Sequence, residues 1–131
     1  MQEDFDESMK VDVLAASLRM EGKQSGDAME NLAKKLELCL PEHVTISRDG
    51  WFLSKTKPVK DLLVQFDNFH YQLTREKSGS ITARQMKIVR GVALKTTEIS
   101  LDQWIDGLAG EMAELAKKNS QTREALSRLI S

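Results

Sequence analysis

A chain of 131 residues with 40% apolar side chains can bury one compact core, and its length gives a prior of one domain. No run of about 20 apolar residues occurs, so no membrane span and no membrane partner is expected, and the acidic start MQEDFDESMK, with no apolar stretch behind it, does not read as a signal peptide. Cys39 is the only cysteine, which excludes an internal disulfide and, with the other two features, gives a cytoplasmic expectation.

The net charge of −1 hides an asymmetry. Residues 1–43 carry ten acids and five bases, net −5; residues 44–97 carry four and ten, net +6; residues 98–131 carry six and four, net −2. A basic middle between acidic ends is either internal complementarity or one basic face for an anionic partner.

In chain order, residues 1–10 are expected to be a frayed acidic terminus and 11–131 a single domain. Val11, Leu14, Ala15 and Leu18 have helical spacing. A second helix, with Ser25 or Asp27 as its cap, carries a stripe of Met29, Leu32, Ala33, Leu36 and Cys39 or Leu40, and Pro41 ends it. The period then changes to two. VTISR reads as a strand, Asp49-Gly50 as a tight turn, and WFLSKTKP as either a short strand or a loop. DLLVQF and HYQLTRE around Asp67-Asn68-Phe69 read as a hairpin, and KSGS as another turn.

ITARQMKIVRGVALKTTEI reads as one long strand, or two meeting near Gly91. Met86, Ile88, Val92 and Leu94 share one face if the alternation continues, and Arg90 belongs to that face too. The expectation adopted is a bend at Gly91 without a change of phase. Arg90 then lies at the sheet margin with its stem along the core. Its guanidinium would meet Glu98, Asp102 or Asp106, or stack on Trp104.

Ser100 and Gln103 form a capping box, followed by Leu101, Trp104, Ile105, Leu108, Met112, Leu115 and Ala116 every three or four residues. Gly107 and Gly110 weaken this helix and would allow a close approach to a sheet. Asn119 or Ser120 ends it and starts a last short helix, TREALSRLI. The order of helices, strands and helices argues for an α+β fold. It has an antiparallel sheet of about four strands, covered on one face by amphipathic helices. The other face mixes Leu63, Gln65, Thr82 and Arg84, or their opposites, and would stay wet, bind or pair in a dimer.

The strand VRGVALKTTEI running into the helix LDQWIDGLAGEMAELA, preceded by DNFHYQLTRE and DVLAASLR, resembles a family of small uncharacterised bacterial proteins. In that family a strand of the type VRGVVLKTEE leads into a helix of the type LDEWLDAL. The likeness covers most of the chain and is strongest over residues 86–130. It implies a bacterial, cytoplasmic, single-domain protein and carries over no catalytic position.

The chemistry-bearing residues favour no enzyme. Cys39 lies on an apolar helical face, where a free cysteine acts as a small hydrophobe, and Pro41 separates it from His43. One cysteine and the two histidines, His43 and His70, do not supply a metal-ligand pattern. Asp67 and His70 flank a turn, the seven glycines are scattered rather than gathered in a phosphate loop, and Asp102 suits the first turn of its helix. Trp51, Phe52, Phe66, Phe69 and Tyr71 with Lys55, Lys57 and Lys60 suggest a single-strand nucleic-acid platform, but such aromatics more often form strand core.

The expectation is thus no catalytic residue, no cofactor and no metal. The function is a non-enzymatic interaction or adaptor/chaperone-like one, as a homodimer or with another protein. The alternatives are nucleic-acid or polyanion binding through residues 44–97 and an unrecognised enzyme. The candidate partner or anion contacts are Arg84, Lys87, Arg90 and Lys95.

Overall fold

The computed structural model describes residues 15–16, 28–48 and 58–130. After the helical residues Ala15 and Ala16, three helices and five strands follow one another in these segments. They are α1 (Ala28–Cys39), β1 (Val44–Arg48), β2 (Val59–Gln65), β3 (Phe69–Arg75), β4 (Ile81–Val89), β5 (Val92–Ile99), α2 (Leu101–Lys118) and α3 (Ser120–Ile130). The strands form one antiparallel sheet in the order β1-β2-β3-β4-β5. The fold is therefore α+β, as the change of period implied, with five strands rather than about four. The Val11–Arg19 helix beyond Ala15 and Ala16, the Ser25 or Asp27 cap, the Asp49-Gly50 turn and all of WFLSKTKP but Pro58 lie outside the described residues.

The chain divides into two compact units: Pro41–Trp104, and Met1–Leu40 with Ile105–Ser131. The first holds the whole sheet and the opening turn of α2. Register sorts its side chains onto two faces. Leu62 opposes Leu73 and Val64 opposes Tyr71, while Leu73 opposes Ala83, and all five are buried. This is the alternation expected of a sheet with one face in a core. Tyr71 sits at its centre, edge-on to Phe66 at 6.1 Å and to Trp104 at 6.1 Å. Gln85 Nε2 donates to the Tyr71 hydroxyl at 3.0 Å, so the buried phenol has an acceptor role filled.

The opposite face carries the row Thr45, Leu63, Gln72, Arg84 and Glu98, aligned across all five strands. Gln65 and Thr82 lie on this face as well, so the register selects the first of the two mixtures expected for it. The turns follow local chemistry. Phe66 N donates to Phe69 O at 2.9 Å and closes the β2–β3 hairpin. Gly79, at φ 93°, supplies the left-handed residue of the β3–β4 turn.

In the other unit, Met29, Leu32, Ala33, Leu36 and Cys39 form the buried stripe of α1, with Leu40 buried just beyond its end. Ile105, Leu108, Ala109 and Met112 do the same for α2. The capping box is reciprocal: Ser100 N donates to Gln103 Oε1 at 3.1 Å, and Gln103 N to Ser100 Oγ at 3.1 Å. Asn119 caps α3, its Oδ1 accepting from Gln121 N and Thr122 N. One expectation fails on α2. Leu101 is exposed rather than part of the stripe, because it stands at the solvent-facing first position. A Cβ added at Gly110 would meet nothing within 4 Å, so no close approach requires that glycine.

Candidate functional site

The β4–β5 hairpin is where the structure departs most from the expected strand. Arg90 and Gly91 are not a bend within one strand; they are the whole loop between two. Val89 pairs with Val92, and the intervening residues have φ 53° and 80°. Two consecutive positive φ values are the signature of a type I′ turn, whose twist matches that of a hairpin. Glycine adopts this geometry freely. Arginine pays for it in contact between its Cβ and backbone, which is why Asn, Asp or Gly usually stands there.

This reversal overturns the architectural role expected of Arg90. The residue is exposed at the turn, whereas Trp104 is fully buried. Glu98 lies opposite Arg84, eight residues along the chain from Arg90, and so is not its partner. The phase changes as well. Met86 is half-buried and Ile88 buried, but Val92 and Leu94 are 60% and 64% exposed rather than sharing an apolar row.

Of the four expected contact residues, the structure gathers three and separates one. Lys87 and Lys95 stand directly opposite each other, close to the turn that carries Arg90, and all three are exposed. No ion pair joins any of them to an acid among the described residues, and residues 81–97 contain no acid at all. Arg84 lies on the other face, opposite Gln72 and Glu98. Its Nη1 donates to Thr74 Oγ1 at 3.5 Å, and Thr74 Oγ1 donates to Asp61 Oδ1 at 2.7 Å. Arg84 therefore belongs to a polar network on the sheet and not to the hairpin end.

Sequence reasoning missed the apolar half of this site. Val89, Val92 and Leu94 are 40%, 60% and 64% exposed beside the three cations. Leu94 is the extra residue of a bulge, since Lys87 opposes Lys95 while Ile88 opposes Ala93. Beyond it, β5 stays exposed through Glu98, and as the last strand of the sheet it leaves one backbone edge unpaired within the described residues.

The other chemical candidates sit in structural roles. Burial raises the Cys39 thiol above its ordinary range, with Lys35 opposing the effect, and Sγ points to Ala125 O at 4.0 Å. A protonated thiol in this setting is a weak nucleophile. His43 Nδ1 bonds to Gln65 O at 2.8 Å, and its ring stacks on Phe66 at 5.8 Å. His70 is set between Gln65 and Met86, and burial lowers its pKa; Asp67 is exposed in the turn before it. Phe66 and Tyr71 are buried core rather than a stacking platform, and Trp51, Phe52, Lys55 and Lys57 lie outside the described residues. No helix among the described residues is long and apolar enough to cross a membrane. No family model, no curated protein and no solved structure matches the chain.

Proposed function

We propose that the protein is a non-enzymatic interaction domain of the bacterial cytoplasm, adaptor- or chaperone-like, that works as a homodimer through β5. The observation that carries this reading is the exposure of β5 on both faces from Val92 to Glu98, at an edge of the sheet. Such a strand is a template for strand addition. A second copy is the simplest occupant, because a two-fold pairing satisfies both edges at once. The resemblance to small bacterial proteins supports the setting.

Charge and bulge narrow the register. An antiparallel self-pair centred on Lys95 or Glu98 would set like charges against each other. A pair centred on Thr97 avoids both. It places Lys95 opposite Ile99 of the second copy and Thr96 opposite Glu98, and it leaves the bulge at Leu94 outside the paired segment. Light scattering on the eluting protein tests the reading. A dimer gives twice the 14.8 kDa chain mass, and a species of single-chain mass at high concentration contradicts it.

The basic end of the hairpin favours one further reading, polyanion binding through residues within 44–97. It predicts an affinity that falls steeply with salt.

A further inference from the structure

The end of the β4–β5 hairpin combines two features, of which the self-pairing register about Thr97 engages only Lys95. Three cations, Lys87, Arg90 and Lys95, lie there without an acidic partner among the described residues, two of them directly opposite each other. Three aliphatic side chains, Val89, Val92 and Leu94, are exposed between them. Each feature carries a cost in the isolated protein: like charges repel across a strand pair, and apolar surface stands in water. An arginine also holds a positive φ of 53° where a less strained residue would serve the turn.

We propose that this hairpin end seats on an anionic lipid surface. Val89, Val92 and Leu94 enter the boundary between headgroups and acyl chains, and Lys87, Arg90 and Lys95 meet the lipid charges around them. Aliphatic groups at a tip with cations beside them match the layering of such a surface. Other occupants fit less well. A peptide strand added along residues 89–94 would meet the bulge at Leu94, which discourages pairing at this end of β5. A single-stranded nucleic acid would want rings to stack on, and β4 and β5 contain no aromatic residue. The earlier expectation of no membrane partner rested on the lack of a span, and surface seating requires none. The proposal does not require pairing at Thr97, which leaves residues 87–94 clear and engages only Lys95 among the lipid contacts.

The test is co-sedimentation of the full chain with phosphatidylcholine vesicles, with and without about 30% phosphatidylglycerol, at low and high salt. Two variants accompany it: K87Q/R90N/K95Q, and V92S/L94S at exposed positions. A matching thermal melt confirms that each is folded. The expected result is partitioning onto the anionic vesicles at least about tenfold stronger than onto neutral ones, weakened by salt and by either variant. No partitioning at low salt, equal partitioning onto both vesicles, or insensitivity to both folded variants overturns the proposal. So does tight binding of an oligothymidylate probe with no vesicle binding, which would assign the cations to nucleic acid.

Discussion

Lys87 and Lys95 face each other directly across the β4–β5 pair, one residue before the bulge and close to a turn that carries a third cation. Two ammonium groups in that relation destabilise the hairpin that holds them. Lys95→Glu converts the repulsion into a cross-strand ion pair. The expected gain is roughly 0.5 kcal/mol at low salt, shrinking as salt is added. Urea unfolding at two ionic strengths measures it, and a loss of stability would mean that the two side chains do not approach each other.

Arg90→Asn should stabilise the protein further, by about 1 kcal/mol, because asparagine tolerates the left-handed conformation that the turn imposes at this position. A neutral or negative effect in thermal unfolding would argue against a type I′ turn.

Gly110→Ala on α2 is expected to raise stability by up to about 1 kcal/mol, since among the described residues the added methyl meets no atom within 4 Å beyond its chain neighbours and its own helix backbone, and the helix interior favours alanine. The chemical denaturation midpoint reads this directly. A fall in midpoint would show that a neighbour needs the space after all.

Glu111 has its pKa raised above the ordinary value of 4.5, first by burial and then by Glu114. The folded state therefore keeps a proton that the unfolded chain has released. Its stabilising share is full below pH 4.5 and is lost as pH rises through the folded pKa. Glu111→Gln should thus melt higher than the parent at pH 7, with the difference shrinking towards zero below about pH 4. Melting curves across that range check the sign. His70 runs the other way. Burial lowers its pKa, so its share of stability is present above the ordinary value of 6.5 and declines as pH falls below it.

Most of the scaffold was legible because its signals are local and agree with one another. The stripe of α1, the Ser100–Gln103 box and the Asp67-Asn68 hairpin each follow from a short pattern. Alternation offered Leu63, Gln65, Thr82 and Arg84, or their opposites, for the polar face, and the register selects the first set. The hairpin end was not legible, for a specific reason. Across a two-residue loop Val89 pairs with Val92, so odd numbers face even ones at the turn until the bulge at Leu94 restores the match. The unbroken alternation of Ile88, Arg90 and Val92 therefore suggested a continuous strand. The Gly91 signal was present, but Arg-Gly is a weaker hairpin cue than Asn-Gly because arginine resists the first positive φ. The cations of the site were visible as residue types. Their partition into Lys87, Arg90 and Lys95 on one side and Arg84 on the other required the register.

The central claim is self-association through β5 about Thr97, and a charge-swap mixing experiment tests it most directly. Thr97 is exposed, and a two-fold there places each copy's residue against its own equivalent. Thr97→Lys alone and Thr97→Glu alone should each elute at single-chain mass, because like charges would meet at the axis. The two variants mixed in equal amounts should recover the mass of a pair. Two variants that each remain dimeric, or a mixture that stays monomeric while the unmodified protein is a dimer, would contradict the account.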